Sequence, residues 1–220
     1  MNVMKLPIAF DWDGTLFQVH LLAVPAYITV FTRLAQEGVI ESVPSREKFL
    51  SIFGMVSEDI WEYLLPGTSR ELKDQVARDL VAEEDKIRDR GILYPGVRET
   101  LLALRESGHP LFVVSNGTEE YIKGACADTG LAPLLQGIYS AGQYKTATKV
   151  ELLARVIADN RLGAGLMVGD RGMDLEAGRK NGFTTVGCAY GYADREELRG
   201  ADYLIEDIRE LPGIVQKLKS

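Results

Sequence analysis

Residues 8–16 read Ile8-Ala9-Phe10-Asp11-Trp12-Asp13-Gly14-Thr15-Leu16, a short apolar run that ends in two carboxylates. In a strand, successive side chains alternate between faces, so Asp11 and Asp13 are expected to point one way and Trp12 the other. Gly14 breaks the strand and lets the chain turn. An Asp-Gly pair is by itself a common turn former. That accounts for Asp13 but not for Asp11, which still lies inside the apolar run. Two carboxylates this close repel strongly unless a cation or a shared proton offsets them. The stretch therefore delivers a pair of acids to the point where a buried strand emerges into a loop.

The whole chain bounds what such a pair can serve. At 220 residues there is room for one large domain, or for a domain carrying a sizeable insertion. Hydrophobic residues make up 46% and charged residues 26%, the balance of an ordinary globular protein. A net charge of −7 argues against general binding of nucleic acid, which needs a basic face. Cys126 and Cys188 are far apart with no CxxC spacing, so neither a disulfide framework nor a zinc site is indicated, and a reducing compartment fits. The first residues lack the layout of a signal peptide. No apolar stretch reaches the roughly 18 residues needed to span a bilayer. A cytoplasmic protein without a membrane partner is expected; nothing in the sequence fixes its oligomeric state.

From residue 17 to 90 the pattern is helical, with no convincing strand. Leu21, Leu22, Val24, Tyr27, Ile28, Phe31 and Leu34 recur at three- and four-residue steps, giving a helix with a broad apolar stripe. Pro25 is expected to kink this helix or lie near its start, and Gly38 to end it. A short helix starts at Ser45 and another covers Glu58 to Leu65. Thr68 and Glu71 have the spacing of a capping box and open a long charged helix through about Arg90. From Tyr94 onward strands alternate with helices. Strands are expected at Leu111–Ser115, Gly137–Ala141, Gly165–Gly169, Thr184–Ala189 and Tyr203–Ile205. That alternation implies crossover units and a parallel sheet covered on both faces, which the first strand must join. The fold class is α/β: a Rossmann-like core from residues 1–16 and 91–220, with an all-helical domain from 17–90 inserted.

In open α/β sheets ligands bind outside the carboxyl ends of the strands. The first strand ends in Asp11 and Asp13, the strand at 111–115 in Ser115-Asn116-Gly117, and the strand at 165–169 in Asp170, with Asp174 four residues on. Lys149 adds an oddity. Thr148 and Glu151 form a capping box that puts Lys149 at the first helical position, where a cation opposes the helix dipole. A nearby anion explains it best, and Lys145 in the preceding loop is its competitor.

Taken in order, DWDGT, Ser115 at a strand end, Lys149 at a helix start and Gly169-Asp170-Arg171-Gly172-Met173-Asp174 (GDxxxD) resemble the four motifs of the haloacid dehalogenase-like hydrolases. The resemblance runs from Ile8 to about Ile208. It implies Asp11 as nucleophile and Asp13 as general acid and base. It further implies Ser115, Asn116 and Lys149 as phosphate-binding groups, and Mg²⁺ held by Asp11, the backbone carbonyl of Asp13 and Asp170, with Asp174 close by. An acid at Asp13 resembles the phosphatases and phosphomutases of the superfamily, not its dehalogenases or cation pumps. The helical insertion resembles the cap of the phosphoglycolate phosphatase-like branch. The implied activity is Mg²⁺-dependent hydrolysis of a small phosphorylated metabolite; the alternatives are a phosphomutase on a sugar phosphate and a binding protein without activity. Relatives often continue DGTLxDS where this chain has Gln18 and His20. Arg33, Arg46, Lys48, Arg70 and Lys73 are the insertion's candidate anion partners.

Overall fold

Among the described residues six strands form one parallel sheet: β1 (Ile8–Phe10), β2 (Leu111–Ser115), β3 (Gly137–Ser140), β4 (Leu166–Gly169), β5 (Thr184–Cys188) and β6 (Tyr203–Ile205). Their spatial order is β3-β2-β1-β4-β5-β6. The short β1 is central, with Ile8, Ala9 and Phe10 opposite Leu111, Phe112 and Val113 on one side. On the other side the same residues face Leu166, Met167 and Val168. All nine of these side chains are buried, as strands covered on both faces require. The computed structural model describes residues 5–55, 57–87 and 92–218.

The chain divides into two units, Met1–Phe17 with Leu93–Ser220, and Gln18–Ile92. Phe17 stays with the sheet because it bridges to Asp13 and Leu93 and stacks on Trp12 at 5.5 Å. The return boundary expected between 90 and 91 falls within residues 88–91, outside the described residues.

In the sheet unit the helices are α5 (Val97–Glu106), α6 (Glu119–Asp128), α7 (Ala141–Tyr144), α8 (Lys149–Asn160), α9 (Gly172–Lys180) and α10 (Leu211–Lys217). Ala9, Phe112 and Met167 share a core with Leu152, Leu153 and Val156 of α8 and Ala177 of α9. Right-handed crossovers put α5 and α6, which join β1 to β2 and β2 to β3, on the opposite face. Alternation along β1 sends Asp11 to the same face as Ala9, toward α8 and α9.

The helical unit holds α1 (His20–Gln36), α2 (Arg46–Ser51), α3 (Ser57–Leu64) and α4 (Arg70–Asp85). The stripe of α1 is buried at Leu22, Val24, Tyr27, Phe31 and Leu34. Tyr27 and Phe31 pack around Phe49 of α2, with ring centroids 5.2 and 5.4 Å from it. Pro25 sits within the second turn of α1. Ser69, not Thr68, caps α4, accepting from the Leu72 N–H at 3.2 Å. The Thr68 hydroxyl instead donates back to the Leu65 carbonyl at 2.8 Å, closing the turn after α3. The helix ends at Asp85, short of the expected Arg90; residues 88–90 lie outside the described residues.

Candidate active site

The sheet reverses winding between β1 and β4, the switch point where an open α/β fold binds ligands. The Asp11 amide donates to the Val168 carbonyl at 2.9 Å, so the end of β1 is pinned to β4 where Asp170 emerges. Asp11, Asp170 and Asp174 are all buried, and each offers a carboxylate oxygen lying within 4.8 Å of the others. Lys149 reaches in from the start of α8. Its Nζ is 2.8 Å from Asp11 Oδ1 and 2.6 Å from Asp174 Oδ1. This is the anion that its position at a helix start called for. Thr148 Oγ1 accepts from the Glu151 amide at 3.2 Å as expected, while Glu151 Oε2 returns to the Ala147 amide at 3.0 Å. Lys145 is exposed, in a left-handed conformation after α7.

Every carboxylate of the cluster is tied down by its own chain. The Trp12 amide donates to Asp11 Oδ1 at 2.8 Å, and the Arg171 amide to Asp174 Oδ2 at 2.9 Å. Asp170 takes the Thr15 hydroxyl at 3.1 Å on Oδ1 and the Tyr192 amide at 2.8 Å on Oδ2. Asp11 Oδ2 is the exception: it is buried and has no hydrogen-bond partner among the described residues. Two glycines make the approach possible. Gly14 adopts φ +85°, and a Cβ there would lie 2.3 Å from Asp170 Oδ2. A Cβ at Gly191 would lie 2.2 Å from the Asp170 Cβ.

The electrostatics are those of a crowded acidic site. Burial, then the charges of Asp11 and Asp174, push Asp170 well above the usual carboxylate range. Burial and the Asp11 charge push Asp174 up to about 6, although Lys149 and the Arg171 amide oppose them. Burial alone would lower Lys149, but Asp11 and Asp174 more than offset it, and its ammonium is held above the ordinary lysine range. One lysine does not neutralise three carboxylates. Three oxygen donors and an unpartnered buried Oδ2 fit a hard divalent cation.

Asp13 does not join this cluster. β1 ends at Phe10, so the alternation that would align Asp13 with Asp11 stops before it. Within the turn the Leu16 and Phe17 amides both fold back onto the Trp12 carbonyl at 2.9 Å. The half-buried Asp13 carboxylate instead takes the Tyr121 phenol of α6 at 2.6 Å on Oδ1. Ser115, at the end of β2, is buried, and its Oγ accepts the Gly117 amide at 3.1 Å. Asn116 Nδ2 lies 3.2 Å from Met173 Sδ, in the first turn of α9 that also carries Asp174.

A model of the haloacid dehalogenase-like hydrolases matches residues 8–182. The chain belongs to that family. Among curated relatives, it is 28% identical to a phosphoglycolate phosphatase of Vibrio cholerae, with 98% of each chain covered. It is 26% identical to a pyrophosphatase, PpaX, of Listeria monocytogenes over 94% of each. Among solved structures, a predicted phosphatase from Clostridium acetobutylicum superposes with a TM-score of 0.81 at 20% identity, covering 97% of this chain and all of that one. That last likeness is one of fold.

The hydrolase carries site residues that the sequence reading missed. Thr15, Tyr190, Gly191 and Tyr192 all serve Asp170 or its support, the Tyr190 phenol donating to the Thr15 carbonyl at 2.9 Å. The residues at 190–192 follow β5, so the rule of strand ends, carried one strand further, points to them. Tyr121 has no such signal. In the helical unit most candidate cations are engaged: Arg33 with Asp79, Arg70 with Asp74, Lys73 with Glu62, and Lys48 over the Tyr63 ring at 4.7 Å. Arg46 is exposed and sits near the half-buried His20, whose pKa is lowered by burial and then by that charge. No helix among the described residues is long and apolar enough to cross a membrane.

Proposed function

We propose that this hydrolase is a Mg²⁺-dependent phosphatase of a small phosphorylated metabolite, working through a phosphorylated Asp11. The observation that carries the reading is the buried Asp11 carboxylate with one oxygen engaged by Lys149 and the other unpartnered, beside a second acid, Asp13, held outside the carboxylate cluster. A nucleophile needs an available lone pair, and a general acid needs to stand apart from the groups that hold a cation.

In this reading Asp11 attacks phosphorus and the ester P–O bond breaks. Asp13 gives its proton to the leaving oxygen. Water then attacks the phosphorus, Asp13 takes a proton from it, and the bond to Asp11 breaks to release inorganic phosphate. Lys149 offsets negative charge that builds on the phosphoryl oxygens. The Ser115 hydroxyl accepts from Gly117 and so keeps its own proton to donate to a phosphoryl oxygen. Amides at Asn116 and Gly117, opening toward α6, favour an anion. Asp11, Asp170, Asp174 and the Asp13 carbonyl would hold Mg²⁺, which supplies positive charge to the transferring group. The helical unit, inserted directly after the Asp13 loop, is read as the family's cap, the part that sets which ester is accepted. The Vibrio and Listeria relatives, named for phosphoglycolate and pyrophosphate, support a small and strongly anionic substrate.

The test is phosphate release from a panel of small phosphoesters, with and without Mg²⁺, by wild type and Asp11→Asn. Release that requires both Mg²⁺ and Asp11 is expected. Isomerisation of a sugar phosphate with little free phosphate would overturn the reading in favour of a mutase. Equal inactivity of both proteins across the panel would remove the enzymatic reading itself.

A further inference from the structure

The Tyr121 phenol lies 108 residues from Asp13 in sequence and 2.6 Å from it in space. Tyr121 is in the first turn of α6, where its amide is capped by Thr118 Oγ1 at 3.4 Å. Its ring packs close to Gly117: a Cβ added there would be 3.1 Å from the Tyr121 Cδ1. The phenol therefore has a fixed origin, a helix start directly after the strand that carries Ser115. Its target is a turn. Asp13 lies in the turn after β1, outside any regular strand, and bridges to Phe17. An aspartate in a turn rotates among several staggered positions, and each misplacement of a proton donor slows the step it serves. At 2.6 Å the contact is in the range of a phenol donating to a carboxylate, stronger than a neutral hydrogen bond.

We infer that Tyr121 is a positioning residue that fixes the Asp13 carboxyl for proton transfer to the leaving oxygen. This rests on the phosphatase reading above. A hydroxyl donating to Oδ1 keeps that oxygen as acceptor, so the reacting proton of the acid form resides on Oδ2. The proton leaves Oδ2 for the ester oxygen as the P–O bond breaks, and Oδ2 takes it back from water in the second half of the cycle. The phenol keeps its own proton throughout. Tyr121 holds the acid and takes no part in bond making.

General acid assistance matters most when the leaving oxygen is strongly basic. The inference is therefore tested on two esters, an alkyl phosphate with a basic leaving group and p-nitrophenyl phosphate with a weakly basic one. Tyr121→Phe removes only the hydroxyl and keeps the ring against Gly117. It is expected to lower kcat/KM, which reports cleavage of the ester P–O bond and not the shared hydrolysis of the Asp11 phosphate, about tenfold on the alkyl ester, the order of a lost hydrogen bond to a charged group, and on the aryl ester at most about twofold. In an Asp13→Asn background the same substitution is expected to leave the ratio of the two rates unchanged, because the group it positions is gone. Thermal midpoints of both Phe variants, measured alongside, should match their parents. Equal loss of kcat/KM on the two esters, or an undiminished preference in the Asp13→Asn background, would overturn the inference while leaving the phosphatase reading intact. Failure of wild type on both esters, with Mg²⁺ present and protein folded, would overturn the reading and this inference together.

Discussion

Lys149 concentrates the physics of the site into one side chain. It is 3% exposed and touches two of the three buried carboxylates. A cation so placed is retained because removing it leaves anions uncompensated, a loss of roughly 3–5 kcal/mol for a broken buried pair. Lys149→Gln is therefore expected to lower the thermal midpoint of the metal-free protein. Differential scanning calorimetry measures this. On the proposed function it should also reduce kcat by about 100-fold or more, the scale seen when a group opposing transition-state charge is removed. Lys145→Gln, at an exposed position, should change neither. The two lysines cannot be separated by motif spacing; what separates them is the helix dipole, which opposes a lysine at the start of α8 unless an anion faces it. That argument was available from sequence. The pairing of Asp13 with Tyr121 was not, because β1 stops at Phe10 and a turn has no fixed alternation from which to project a side chain.

Among the elements, α4 carries the clearest pH dependence. Glu84 lies at its end, and burial followed by the Asp85 charge raises its pKa from 4.5 to about 7. A carboxyl raised on folding binds its proton more tightly in the native state. Its favourable contribution is full below about 4.5 and is lost as pH rises through about 7. Glu84→Gln, which cannot ionise, should therefore stabilise the protein at pH 8 by about 1–2 kcal/mol, allowing for the group's part exposure, and leave it nearly unchanged at pH 4. Thermal midpoints at the two pH values check this; equal shifts at both would contradict it. The boundaries of such elements were legible where a local rule dominates. β2 and β6 run between the expected residues, because each is an apolar or β-branched run bounded by turn formers. The start of α4 was misjudged by one residue because Thr68 and Ser69 are both good caps, and which one bonds depends on the turn closed by Leu65.

At the scale of the molecule, the site is assembled by strand order. Residues near 11, 115, 149, 170 and 190 meet because β1 lies between β2 and β4, with β5 beside β4, in a sheet whose strands all run the same way. That the strands run parallel was legible from the alternation of strands and helices, since parallel strands need crossovers; their order was not. The alternation put Asp11 and Asp170 at the same edge of the sheet, the carboxyl ends of its strands. Of the support behind them, Gly191 and Tyr192 were within reach of the same strand-end rule applied to β5, whereas Thr15 acts through a single hydrogen bond that no pattern in the sequence marks. The central claim is that this assembly makes Asp11 a nucleophile. It is tested most directly by quenching the enzyme in acid during turnover of a hydrolysed phosphoester with Mg²⁺ and mapping the phosphorylated peptide by mass spectrometry, with borohydride reduction to mark the acyl phosphate. The account predicts phosphate on Asp11 in wild type and none in Asp11→Asn. Steady turnover with a different phosphorylated residue, or with reduction yielding no product at position 11, would contradict it.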